Sequence, residues 1–427
     1  MLTYGETLDF LYHLEVERKD LKLERVVAAL QRCGSPHLRF PSLHVAGTNG
    51  KGSTASFLYS MLDAAGYRVG LFTSPHLVDF CERIRLGKRQ ISQDEVIEGV
   101  AETRAMVEPA GIHLTPFEMM TVLAFMAFAR AQVDVAVVEV GLGGRLDATN
   151  VLSPLVSIIT SIGLDHQTYL GPTLAHIARE KGGIIKSGTS VVIGRMDEGS
   201  FLILREMAEE KKSPSICYGK DFSVQLNSQG GVDYKGWSWQ LPDMRVGLRG
   251  RFQHENAAVG LAALEVIHSI LPVPELCLRS GLASASWPGR LEVVSERPCV
   301  ILDGAHNPQA METLCAALPE ILHGRRAKVL FGVMRDKDWR AMIPFLAEIA
   351  SEIVVTRVQQ PRAEDPEVLR EALSLLRPTQ TRMDARAACQ QLMAETKTDE
   401  AVVVCGSLFL VGEVYPLFSS AQETVSM

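Results

Sequence analysis

An apolar run, Leu43-His44-Val45-Ala46, stops at Gly47-Thr48-Asn49-Gly50-Lys51-Gly52-Ser53-Thr54, after which the chain turns amphipathic. Glycines let the backbone approach a ligand in conformations that a Cβ forbids. Successive N–H groups and the N-terminus of a following helix then make a seat for an anion, and a polyphosphate is the expected guest. Lys51 adds a full positive charge, and Ser53 or Thr54 a hydroxyl in reach of a bound Mg²⁺. The spacing departs from the G-x-x-x-x-G-K-[ST] loop: Gly47 stands three before Gly50, and Gly52 follows Lys51. A plain glycine turn with a solvated lysine fits the flanking strand and helix less well.

Further polar residues follow apolar runs: Ser74 after Val69–Thr73, Glu139 at the end of Val133–Val140, His166 after Pro154–Ile162, and Asp303 and His306 after Val300–Asp303. In parallel sheets the loops at the carboxyl ends of strands hold ligands. A carboxylate at Glu139 needs a partner, because burying it alone costs several kcal/mol, roughly. A metal ion would serve; so would Arg145 or a helix N-terminus. Lys181 reads as a solvated surface charge.

The elements that must position these residues follow from periodicity. Ala55, Leu58, Met61, Leu62 and Ala65 form one helical face. Helices are also expected over Thr7–Cys33 (with Leu21 in its apolar set), 94–108, 117–132, 174–179, 201–211 and 257–271, the last capped by Asn256. Phe222–Leu226 and Trp237–Leu241 read as strands of a small appended sheet. Beyond Trp287-Pro288-Gly289-Arg290 the alternation restarts with strands at 300–303, 328–332, 353–356 and 402–405. The expected fold is α/β: a large N-terminal P-loop domain with a small appended β-sheet (1–292) and a smaller Rossmann-like C-terminal α/β domain (293–427).

With 427 residues, 47% hydrophobic and 22% charged, the chain has the composition of a soluble multidomain protein. A net charge of -7 argues against a nucleic-acid surface. Eight scattered cysteines form no C-x-x-C pair, no signal segment is visible, and the apolar stretch 119–129 is too short to span a bilayer. A cytoplasmic monomer with small-molecule partners, no nucleic acid and no membrane is expected.

Together Gly47–Ser53, Thr73-Ser-Pro-His76, the segment Glu139–Asn150, Leu164-Asp-His166, Glu180-Lys181 with Gly-Ile-Ile-Lys186, Pro288-Gly-Arg290 and Asp303-Gly-Ala-His-Asn-Pro308 resemble the folylpolyglutamate synthase and dihydrofolate synthase family of Mur-type ligases. Gly52 after the loop lysine separates this pattern from the cell-wall Mur ligases, which have Thr or Ser there. The resemblance implies ATP-dependent amide ligation: an acceptor carboxylate attacks the γ-phosphorus to give an acyl phosphate, which the amine of L-glutamate displaces. It implies that ATP meets Gly47, Thr48, Asn49, Gly50, Lys51, Gly52 and Ser53, with Asn256, Arg290 and Asp303. Two Mg²⁺ ions are implied on Ser74, Glu139 and His166, and a carbamylated Lys181 that reaches the second. His306 would meet the phosphates or the incoming glutamate. The pterin of a reduced folate or dihydropteroate would sit by Phe117, Glu118, Leu146 and Asp147.

Two positions depart from the family pattern: Gly182 where alanine is usual, which would loosen the turn, and Pro116 where an aromatic or threonine is common. Two other readings stay open, a Mur-type ligase with a UDP-sugar acceptor and a P-loop ATPase or switch. The absence of an N-K-x-D guanine motif weighs against the switch.

Overall fold

A strand covered on both faces has no wet side, so it need not alternate, and the apolar runs become the parallel strands of two sheets. The computed structural model describes residues 2–14 and 22–419. They form two compact units: Met1–Gly163, Leu170–Gly247 and Gln253–Ser286 make the first, and Leu164–Tyr169, Leu248–Phe252 and Trp287–Met427 the second.

The first unit holds the strands β1 (Ser42–Ala46), β2 (Val69–Phe72), β3 (Ile84–Leu86), β4 (Arg89–Gln90), β5 (Val135–Glu139), β6 (Val156–Ile159), β7 (Val191–Ile193) and β8 (Ser215–Cys217). They line up as β4-β3-β2-β5-β1-β6-β7-β8, every strand running the same way except β3, which is antiparallel to both of its neighbours. Val45 of β1 stands opposite Glu139 of β5, and Ala46 opposite Ile159 of β6. The three central strands therefore end level, and the loops that leave them meet at one edge. Phe72, Phe125, Phe128 and Val138 pack in one core cluster, and Ile159, Ile177 and Ile193 in another.

Three expectations for this unit change. The helix expected over Thr7–Cys33 is two helices, Tyr4–Tyr12 and Glu24–Arg32, the first ending where His13 donates its N–H to Asp9; Leu21 lies outside the described residues. The appended sheet has the antiparallel strands β9 (Ser223–Leu226), β10 (Val232–Lys235) and β11 (Gln240–Met244), in the order β11-β10-β9. Trp237, Ser238 and Trp239 form its turn instead of a strand, because the N–H groups of Ser238 and Trp239 both donate to Glu265 Oε1 at 2.7 Å. Tyr234 Oη donates to the other oxygen at 2.8 Å, so a buried carboxylate anchors the small sheet. Glu265 belongs to the helix Arg251–Ile267, which places Asn256 inside that helix and not at its cap.

The second unit's strands are β12 (Glu292–Glu296), β13 (Cys299–Leu302), β14 (Arg326–Phe331), β15 (Ala350–Val355), β16 (Thr379–Thr381) and β17 (Glu400–Cys405). Their order is β12-β13-β17-β14-β15-β16, with only β12 antiparallel. Ile301, Leu318, Val329, Phe331, Trp339 and Val403 fill its core. All eight cysteines are free. Among the described residues no helix is long and apolar enough to cross a membrane.

Candidate active site

The loop after β1 closes on itself and on the end of β6. Thr48 N–H donates to Ser161 O at 2.8 Å and Asn49 N–H to Ser161 Oγ at 3.0 Å. The hydroxyls of Thr160 and Ser161 donate to Asn49 O at 2.6 and 3.0 Å. Thr160 and Ser161 thus hold the anion seat in shape, a role that no local pattern announced beyond two hydroxyls following an apolar strand. Gly50 takes φ +83° and opens the helix Lys51–Ala64. Lys51 Nζ donates to Gly47 O and Thr48 O at 3.0 and 3.1 Å, folded over the loop it would share with a phosphate.

Asn256 reaches this loop from its own helix. A Cβ on Gly50 would lie 2.3 Å from Asn256 Oδ1, so the missing side chain is the space that the amide fills. Gly50→Ala is expected to strain a left-handed residue by about 1–2 kcal/mol and to push Asn256 aside. Melting temperature should fall, and KM for ATP should rise ~10-fold, the equivalent of about 1.4 kcal/mol. Calorimetry and steady-state kinetics on the variant check both, and an unchanged KM would separate Asn256 from nucleotide binding.

Lys181 is buried, 5% exposed, which removes the solvated-charge reading. Its Nζ donates to Gly47 O at 2.9 Å, beside the contact from Lys51. The turn that holds it is tightly built: Gly144 leaves no room for a Cβ against the carbonyls of Glu180 and Lys181, and Arg145 pairs with Glu180 at 2.9 Å. Gly182 ends the helix Leu174–Gly182, where a Cβ would meet Met207 Sδ at 2.6 Å. Its missing side chain leaves room for Met207 and Leu204 of the helix Glu198–Glu210.

Ser74 and Glu139 come together: Ser74 N–H donates to Glu139 Oε2 at 3.1 Å, and Glu139 is 4% exposed. Arg83, absent from the sequence reading, is buried nearby and donates from Nε to His76 Nδ1 at 2.8 Å. Burial, with the Arg83 charge, pushes His76 down to about 4. Arg83 is itself lowered by burial, against the pull of Tyr12 and Glu139. Among the described residues no group of three or more His, Cys, Asp or Glu side chains converges as a metal cage. One buried carboxylate and one hydroxyl suit Mg²⁺, which keeps several waters and shares substrate phosphates.

Of the residues expected at the pterin, Phe117 and Leu146 are half-buried. The Phe117 ring stacks on Phe72 with centroids 5.9 Å apart and lies where a Cβ on Gly141 would go. Glu118 accepts Thr115 N–H at 2.7 Å, closing a capping box in which Pro116 takes the first helical position, where its missing N–H costs nothing. Its other oxygen takes Arg25 at 3.3 Å. Asp147 accepts Leu142 N–H at 2.8 Å, Thr149 N–H at 3.0 Å and the Thr149 hydroxyl. Both carboxylates shape the loops around the aromatic face.

The Thr149 hydroxyl also meets His44 Nε2 at 2.8 Å. Burial, with Lys186 adding to it, lowers His44 to about 3. Unfolded, it would take a proton near 6.5, so between these values the unfolded state binds more protons and stability falls as pH drops. His44→Gln removes that proton and should move the acid midpoint of unfolding to lower pH. A midpoint left in place in a pH titration followed by circular dichroism would contradict this.

In the second unit Asp303 is buried and accepts Leu291 N–H at 2.7 Å and Ala305 N–H at 2.8 Å. Burial raises it, against the pull of Arg290. Arg290 lies over Gly304, whose Cβ would sit 2.3 Å from Nη1. His306 Nδ1 donates to Gly304 O at 2.8 Å, and Asn307 caps the helix Pro308–Leu322. His166 lies in the segment counted with this unit, beside Asp165 and Lys337, neither of which the sequence reading singled out.

Residues 45–264 match the Mur ligase middle domain and residues 289–408 the glutamate ligase domain of the Mur ligases. The folylpolyglutamate synthase of Lacticaseibacillus casei is 34% identical over 97% of this chain and 98% of its own. The chain belongs to the folylpolyglutamate synthase and dihydrofolate synthase family of Mur-type ligases. As a member of this family it is an ATP-dependent ligase, which sets the switch reading aside. Escherichia coli FolC, solved in complex with DHPP and ADP, superposes with a TM-score of 0.91 at 34% identity, covering 99% of both chains. A bifunctional folylpolyglutamate synthase/dihydrofolate synthase solved with Mn, AMPPNP and L-glutamate has a TM-score of 0.88 at 34% identity, covering 98% of both.

Proposed function

We propose that this enzyme joins L-glutamate to the carboxylate of a reduced folate or of dihydropteroate through an acyl phosphate. The observation that carries the residue roles is the meeting of Lys51, Lys181 and the Gly47 carbonyl at the level ends of the central strands. Phosphoryl transfer asks for positioning and charge neutralisation more than for covalent help. Amides of Gly47, Thr48, Asn49, Gly50, Gly52 and Ser53 cradle the ATP phosphates, Lys51 moves from the loop carbonyls onto them, and Asn256, Arg290 and Asp303 hold the nucleotide. Ser74, Glu139 and His166 are the residues that would hold Mg²⁺, one ion or two, which when bound neutralises developing charge on the phosphates.

Phe117 and Leu146 offer the pterin an apolar face, framed by Glu118 and Asp147. His306 meets the phosphates or the incoming glutamate. The functional division falls between residues 1–292 and 293–427. A cytoplasmic monomer with no nucleic-acid partner is the setting that composition supports.

Mass spectrometry of the amide product, with dihydropteroate and tetrahydrofolate as parallel acceptors plus ATP, Mg²⁺ and glutamate, tests the reading. A product mass raised by one glutamyl unit with either acceptor supports it. Phosphate release that neither acceptor stimulates would refute the substrate class, and stimulation by a UDP-sugar acceptor would move the chain to the other Mur-type reading.

A further inference from the structure

Asp165 and Lys337 are each only 8% exposed along their side chains, and Lys337 Nζ lies 2.6 Å from Asp165 Oδ1. The same oxygen accepts the N–H of His166 at 2.8 Å. Asp165 Oδ2 accepts Asn307 Nδ2 at 3.2 Å and faces His306 Nε2 at 3.5 Å. Asn307 cannot turn its amide away without giving up the helix cap that its Oδ1 supplies to Ala310 N–H at 2.8 Å. His306 is thereby gripped from both sides, by Gly304 O on Nδ1 and by Asp165 on Nε2.

A buried ion pair is a poor stability device, because desolvation offsets most of its attraction and apolar replacements commonly do as well or better. It fixes geometry instead. Lys337 follows β14 and His306 follows β13, so both stand beyond the carboxyl ends of parallel strands, where such sheets bind ligands.

We infer that Asp165 and Lys337 are positioning residues for the ligation: their ion pair sets the orientation of His306 toward the reacting groups. This rests on the reading of His306 given above. With Lys337 drawing on one carboxylate oxygen and Asn307 on the other, the Asp165 carboxyl plane is fixed, and with it the side of the imidazole that faces Asp165.

The test compares the full-length wild type with Asp165→Asn, Lys337→Met and the double variant, for melting temperature and for kcat and KM in glutamyl transfer. Each single change strands a buried partner and should lower the melting temperature; the double change should restore it. A positioning role predicts that the restored double variant still loses about 10-fold or more in kcat, as misplacement of a reacting group does, with KM for ATP unchanged. Recovery of both melting temperature and kcat would reduce the pair to a structural contact and overturn the inference. If the double variant does not fold, Lys337→Arg keeps the charge but moves it: a wild-type melting temperature with kcat lowered several-fold supports the inference, and two wild-type values overturn it. A wild type that transfers glutamate to neither acceptor removes the reading of the reaction, and this inference with it; an active wild type matched by its variants removes the inference alone.

Discussion

Lys51→Ala is expected to fold like the wild type and to lose turnover. In the free enzyme the Lys51 ammonium rests on two loop carbonyls, Gly47 O and Thr48 O, which water can serve in its place. The loop keeps its shape through Thr160 and Ser161, so melting temperature should change by a few degrees at most. The variant loses the one full positive charge that the loop offers the transferring phosphoryl group. Charge stabilisers of this kind are worth on the order of 10³-fold in kcat. Acceptor-stimulated phosphate release should therefore fall by roughly that factor, with circular dichroism unchanged. Wild-type turnover in the variant would take the loop out of the mechanism.

Lys181→Ala is the second large effect. In the carbamylated form that the family resemblance implies, the Lys181 ammonium would first lose a proton, and the free ε-amine would then attack CO₂ at carbon, forming the N–C bond with loss of a second proton, so that a cation beneath the loop becomes a carbamate anion. Lys181 is buried against Gly47 O, so the modified form would carry its negative charge next to the phosphate seat. Intact-mass measurement in bicarbonate buffer should show one added CO₂ in the wild type and none in Lys181→Ala, and kcat of the variant should drop on the order of 10²-fold or more. An unmodified wild-type mass with full activity in CO₂-free buffer would exclude the carbamate, leaving Lys181 as a donor to the loop.

The strand ends were the legible part of this chain. Parallel strands buried on both faces write themselves as apolar runs, and the polar residue at the end of each run marks the edge where the ligands are proposed to sit; Ser74, Glu139 and Asp303 stand at such ends, with His306 three residues beyond Asp303. Asn256 was misplaced because Arg251-Phe252-Gln253-His254-Glu255 shows no apolar face, although the helix already runs through it. Trp237 and Trp239 look like strand residues by type, yet Glu265 bends their backbone into a turn from about 26 positions away along the chain. Arg25, Arg83, Thr160, Asp165 and Lys337 matter through partners distant in sequence, which neither spacing nor periodicity can disclose.

The contact between Gly50 and Asn256 also bears on how the chain can vary. One residue contributes an empty volume and the other the amide that occupies it, so neither position is free to drift alone. A side chain at Gly50 would meet Asn256 as well as the left-handed backbone, and shrinking Asn256 would relieve only the first, at the expense of the nucleotide contact proposed for its amide. The two positions, 206 residues apart, are expected to vary together, and variation between related chains should be sought there in pairs.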